Sequence, residues 1–224
     1  MIQNYGTPSL TTASYFNLFF NPSLYPTYSS LVNAATTILS SSVQITNGSP
    51  SAVSFSGGDL TINGNGSAGA PLTVTIAFTG NTLQIWNGSI SANGNNIKVV
   101  LGGNADPKVV VVTGSITLNG NNISMVIGTT GDPVALVTGG NYLENGNNIQ
   151  TGLSGFIYAK GNITFNGNNP SIGVQGIIAS EGTVTYNGNN IQANLTPSII
   201  QAFNEFTGIL STHYTPLDLR EMFQ

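Results

Sequence analysis

Apolar and polar positions alternate with a period of two in short segments that all run into the same polar string. Leu60, Ile90, Ile116, Tyr142, Ile163 and Val184 stand three residues before an Asn-Gly-Asn corner. One residue before it stand Ile62, Ala92, Leu118, Glu144, Phe165 and Tyr186, apolar in every copy but Glu144. Between these two columns lie Thr61, Ser91, Thr117, Leu143, Thr164 and Thr185, mostly hydroxylated. The pattern predicts a half-buried strand with alternate side chains turned inward, ending at the corner.

The corner recurs at Asn63, Asn93, Asn119, Asn145, Asn166 and Asn187, at intervals of 30, 26, 26, 21 and 21 residues. Near-constant contour length between identical corners predicts stacking, with glycine relieving a sharp bend and the asparagine amides bonding along the column as a ladder. The fold class is therefore all-β: a single-stranded parallel β-helix (β-solenoid) of about six rungs with short helical caps at both ends. At about 4.8 Å per rung its core is only about 25–30 Å long. Each Asn-Gly is also a type I′ hairpin signal, and that alternative yields an antiparallel sandwich or barrel, but hairpins do not demand a fixed spacing. Both 26-residue units carry extra residues around Asp106-Pro107 and Asp132-Pro133, which predicts surface loops.

Three segments follow: residues 1–57, aromatic-rich with a cap or assembly helix; residues 58–195, the solenoid; and residues 196–224, a C-terminal helical cap. The N-terminal stripe is Leu31, Val32, Ala35, Ile38 and Leu39, after an aromatic-rich stretch from Tyr15 to Tyr28. Near the C-terminus, Thr196 and Pro197 open a stripe of Ile199, Ile200, Phe203, Phe206, Ile209 and Leu210. Solenoid ends expose unpaired edges and apolar core, so both stripes are read first as core-covering helices.

Charge narrows the choice of partners. Only 5% of residues are charged against roughly 25% in an ordinary soluble domain, and the net charge is −4. Lys98, Lys108, Lys160 and Arg220 are too few and too scattered to neutralise a phosphate backbone, which argues against nucleic acid and against an anionic membrane surface. No run is long enough to span a bilayer directly. The N-terminus has no basic region or continuous apolar region of a secretory leader, so either a leader was removed or the chain reaches its destination without one. Cysteine is absent, which removes disulfides, thiolate nucleophiles and thiolate metal sites.

Catalysis has little to work with. The one histidine, His213, lies outside the repeats, and the eight carboxylates are spread along the chain. Polysaccharide-cleaving β-helices need clustered carboxylates, bases or Ca²⁺ ligands. Asp106 and Asp132 occupy equivalent loops and could stack, although turn formation explains them more simply. No catalytic, cofactor or metal site is assigned. The hydroxyl column raises an ice-binding face, but Leu143 interrupts it and outward Thr is an ordinary β-former. Sequons at Asn65, Asn87, Asn122, Asn162 and Asn194 are candidate N-glycosylation sites, with Asn47 weakened by Pro50.

The stretch SGFIYAKGNITFNGNNPSIGVQGIIASEGTVTYNGNNIQ, residues 154–192, resembles the β-solenoid domain of PilX-type pilus-assembly proteins and minor pilins. Gly155, Ala159, Gly161, Gly167, Gly176, Ala179, Gly182 and Gly188 fit the rung pattern of that family. More loosely the chain resembles bactofilins, which polymerise through solenoid ends. The likeness covers about residues 58–195, but the long apolar helix that opens a type IV pilin is missing. Low charge with many sequons also looks like glycosylated archaeal appendage proteins and archaeal virus spikes. These resemblances imply a non-enzymatic exterior structural protein, a spike or decoration of a virion or cell-surface appendage on the extracellular side. Its partners would be other structural subunits in a homo- or hetero-oligomer, assembled through the termini. A pilus-associated adhesin binding host-surface glycan through Trp86, Tyr158, Tyr186 or the Asp-Pro loops is the alternative, and a polysaccharide-active enzyme comes third.

Overall fold

The computed structural model describes residues 16, 20–21, 23–78, 83–102, 109–128, 134–168, 171–189 and 192–193, without the side chains of 153–156, 171–177, 188 and 192–193. The predicted Asp106 and Asp132 loops, Asn194 and the segment 196–224 lie outside these residues. Among the described residues no helix is long and apolar enough to cross a membrane.

In chain order the elements are α1 (Tyr28–Ala34), β1 (Thr36–Thr37), β2 (Val43–Thr46), β3 (Val53–Ser56), β4 (Asp59–Asn65), β5 (Leu72–Ile76) and β6 (Leu83–Trp86). There follow β7 (Ile90–Leu101), β8 (Val109–Val112), β9 (Ile116–Ile127), β10 (Val134–Thr138) and β11 (Tyr142–Asn147). The last are β12 (Gln150–Ala159), β13 (Ile163–Asn168), β14 (Ser171–Ser180), β15 (Val184–Asn189) and β16 (Gln192–Ala193).

The chain winds as a parallel β-solenoid whose strands pair into successive stacks. The corner stack runs β4–β7–β9–β11–β13–β15, with every Asn-Gly-Asn string in register with the next. A second stack runs β5–β7–β9–β12–β14–β16, because β7 and β9 continue through the corner. The third runs β1–β6–β8–β10–β12–β14. Parallel pairing excludes the hairpin reading: the Asn-Gly strings turn the chain onward to the next face and do not fold it back on itself.

Inward residues of these stacks fill one lumen, including Leu60, Ile62, Ile90, Ile116, Leu118, Ile163 and Phe165, all at 1% exposure or less. The inward column loosens at its last turn, where Val184 and Tyr186 are exposed.

The third stack departs from simple alternation. Val109–Val112 and Val134–Val137 are buried on both faces. One face serves the lumen, and the other holds Val109, Val111, Ala135, Val137 and Tyr158 against Phe16, Phe20 and Leu31. A sheet apolar on both faces needs a second layer, and the N-terminal segment supplies it. Phe16 stacks on Phe20, their ring centroids 4.4 Å apart, and both meet the Tyr158 ring edge-on.

Helix α1 opens with a reciprocal cap, in which Ser30 N donates to Thr27 Oγ1 and Thr27 N donates to Ser30 Oγ. It ends at Ala35, where the β-branched Thr36 and Thr37 enter the third stack beside Gln84 and Ile85.

The N-terminal stripe meets the solenoid at several places. The stripe Leu31, Val32, Ala35, Ile38 and Leu39 is not one helical face over the solenoid end. Leu31, Val32 and Ala35 pack on the flank, Ile38 joins the lumen and Leu39 is 63% exposed. The end is closed by strands: β2 pairs antiparallel with β5, and β3 antiparallel with β4. The reason is backbone chemistry. The first turn presents unpaired N–H and C=O groups, which a strand satisfies and a helix does not. The described part of residues 1–57 pairs with and packs against the solenoid strands.

Leu31→Ala should destabilise the chain by about 2–5 kcal/mol in chemical unfolding, whereas Leu39→Ala should stay within about 0.5 kcal/mol. Equal effects would contradict the flank-covering role.

Candidate functional site: two laddered corners and a polar layer in the lumen

The Asn-Gly-Asn-Asn corner is built position by position. At its first position Asn63, Asn93, Asn119, Asn145, Asn166 and Asn187 lie in register. Side-chain bonds here join pairs: Asn93 Nδ2 donates to Asn63 Oδ1 at 3.1 Å, Asn145 to Asn119 at 3.1 Å and Asn187 to Asn166 at 3.0 Å. The continuous ladder stands two residues on, through Asn65, Asn95, Asn121, Asn147, Asn168 and Asn189. Each amide there donates to the preceding Oδ1 at 2.9–3.3 Å. At the fourth position Asn96, Asn122 and Asn148 adopt positive φ of 52–53° and bond in turn.

Between them the glycine is fixed by close approach. A Cβ on Gly94, Gly120 or Gly146 would fall 1.9, 1.8 or 1.7 Å from the carbonyl oxygen of the glycine one turn below. Their φ values of 137–157° add strain for any other residue.

A second corner escaped the reading of the sequence. Asp59, Ser89, Ser115, Asn141, Asn162 and Thr183 each stand one residue before the first inward residue of their turn, Leu60, Ile90, Ile116, Tyr142, Ile163 and Val184. The side-chain oxygen of each of the first five accepts the backbone N–H of its counterpart one turn on, at 2.7–3.2 Å. Before them Gly114, Gly140, Gly161 and Gly182 leave room for those oxygens, which a Cβ would meet at 2.2–2.3 Å. The available signal was a glycine followed by a small oxygen-bearing residue in every copy.

The predicted sequons occupy different settings. Asn87 is exposed and in neither ladder. Asn65 and Asn162 use their Oδ1 as acceptor, while Asn122 donates its Nδ2 into the fourth-position ladder. Of the aromatic residues considered for glycan stacking, Trp86 is 4% exposed beside Phe55 and Tyr158 is fully buried, so neither presents a free face. Tyr186 is 44% exposed, one face stacked on Phe165.

A groove of about 320 Å³ runs beside the first corner, between Ser67–Pro71 and the column Asn96, Asn122 and Asn148. Ser124 and Gln150 complete its polar lining, which holds no charge.

The third feature lies inside. Glu144 is fully buried at a column position held by Leu118 on one side and Phe165 on the other. Tyr142 Oη donates to Glu144 Oε1 at 2.8 Å, and Thr151 Oγ1 donates to the same oxygen. Oε2 has no partner among the described residues. Burial raises the Glu144 carboxyl from the ordinary 4.5 to about 7, although both hydroxyls pull the other way. Burial, and then the neighbouring carboxylate, hold Tyr142 well above its usual range.

No group of three or more His, Cys, Asp or Glu that could hold a metal occurs among the described residues. No family model matches the chain, and no curated protein or solved structure shows significant similarity to it.

Gly120→Ala should destabilise the stack by about 3 kcal/mol or more. Gly69→Ala, where an added methyl meets nothing within 4 Å, should be neutral in the same unfolding experiment.

Proposed function

We propose that this chain is a non-enzymatic exterior structural protein, a spike or decoration of a virion or cell-surface appendage, presenting an uncharged attachment surface on a rigid shaft. In this reading the shaft has about six rungs, one per corner motif, with residues 196–224 as a C-terminal helical cap, and subunits join through the termini. The observation that carries it is the pair of corner ladders: the repeat is spent on fixing a stack with neutral amides and hydroxyls. The corner groove is the favoured attachment surface, because its amides are held in place before any ligand arrives. A glycan-binding adhesin is the second reading, supported by the neutral, hydrogen-bonding lining of that groove.

Light scattering and electron microscopy of the full chain should show ordered multimers without ligand. A strict monomer that binds neutral oligosaccharides on an array would favour the adhesin, and cleavage of polysaccharide would overturn both. In material from the native host, sugars should sit on Asn65, Asn87 or Asn162 and leave Asn122 bare, as read by peptide mass mapping. An occupied Asn122 would contradict the ladder's hold on that amide.

A further inference from the structure

One turn of the lumen carries polar residues at positions that neighbouring turns fill with apolar ones. Ile116, Leu118 and Met125 precede the register positions of Tyr142, Glu144 and Thr151, and Ile163 and Phe165 follow those of Tyr142 and Glu144. The three replacements touch one another: Tyr142 Oη lies 2.8 Å from Glu144 Oε1 and 3.1 Å from Thr151 Oγ1, and it reaches Met125 Sδ at 3.6 Å. Three polar groups that meet on one turn form a built layer, which scattered substitution would not produce.

Among the described residues the layer has no counter-charge. Around Glu144, β9 contributes Leu118 and Met125, β13 Phe165 and β12 Thr151, none of them titratable. The titratable groups are Tyr142 on its own strand and Tyr186 on β15, which feels the Glu144 charge. The described lysines point elsewhere. Lys98 alternates with the inward Ile97 and Val99, and Lys160 sits over the Tyr28 ring on the outer flank, 4.8 Å from its centroid. With both hydroxyls donating to Oε1, the neutral acid places its proton on Oε2. Loss of that proton leaves a full charge on a buried oxygen with no hydrogen-bond partner among the described residues.

We propose that Tyr142, Glu144 and Thr151 form a proton-held lock that keeps this turn of the solenoid closed in acid and weakens it once Glu144 ionises. The direction follows from the raised pKa of the folded state. Stability is fully present below about 4.5, where Glu144 is protonated folded or unfolded. It declines as pH rises through the folded value of about 7 and levels off beyond it. The device suits a scaffold that meets an acidic medium, and it stands whether or not the chain is a spike.

The test is thermal unfolding of the full chain between pH 4 and 9, alongside Glu144→Gln and Glu144→Leu, the latter copying Leu118. The wild type should lose on the order of 5–10 °C in Tm relative to either variant across this range. Its infrared spectrum at pH 5.5 should show a protonated carboxyl band that Glu144→Gln lacks. Should a variant fail to fold, that wild-type band and its disappearance above neutral pH carry the test alone. Parallel Tm profiles, or a wild type already ionised at pH 5.5, would overturn the lock.

Discussion

Successive turns of a parallel stack sit about 4.8 Å apart, and at the Asn-Gly-Asn-Asn corner the backbone uses that distance to its limit. The Gly94, Gly120 and Gly146 α-carbons lie so close over the carbonyl below that no side chain fits. Everything else is arranged around this contact. The residues on either side of the glycine are asparagines, because a planar amide has a donor and an acceptor at opposite ends and can pair with a copy of itself in the same pose. An ionised carboxylate, which only accepts, could not propagate such a column. At the second corner the solution differs: the side-chain oxygen one turn below accepts a backbone N–H, so Asp, Ser and Asn all serve.

The corners also explain how a chain with so few charges stays ordered. Fixing the turns with neutral groups places no like charges one above another, whereas a stacked column of acidic or basic residues would repel itself at every step. The same economy exposes Glu144 as the exception. It is the one carboxylate in the inward columns, and its neighbours Tyr142 and Thr151 depart from the apolar pattern on the same turn. Among the described residues the lumen holds no other charged side chain, and two hydroxyls receive this one.

Much of this was legible in the chain. The spacing of Asn63 to Asn187 determined register, and alternation around Leu60, Thr61 and Ile62 assigned faces correctly. Other parts were hidden for physical reasons. The third stack, with Val109–Val112 at its centre, is buried on both sides and so shows no period of two. Without it, the aromatic residues ahead of α1 had no visible surface to cover. The stripe from Leu31 to Ile38 showed that side chains would be buried but not against what, Leu39 is exposed, and the backbone needs of β4 and β5 were met by β2 and β3. Glu144 was visible as a break in its column. Thr151 and Tyr142 became its partners only once the turns were stacked.

The claim on which the account rests is that the asparagine amides are locked into columns. The side-chain carboxamide protons report this directly, by hydrogen exchange followed in NMR spectra of the folded chain. Asn95, Asn121 and Asn147, each both donor and acceptor in the ladder, should exchange far more slowly than Asn87, which is exposed and outside it. Exchange at Asn121 as fast as at Asn87 would show that the corner is not held by its amides.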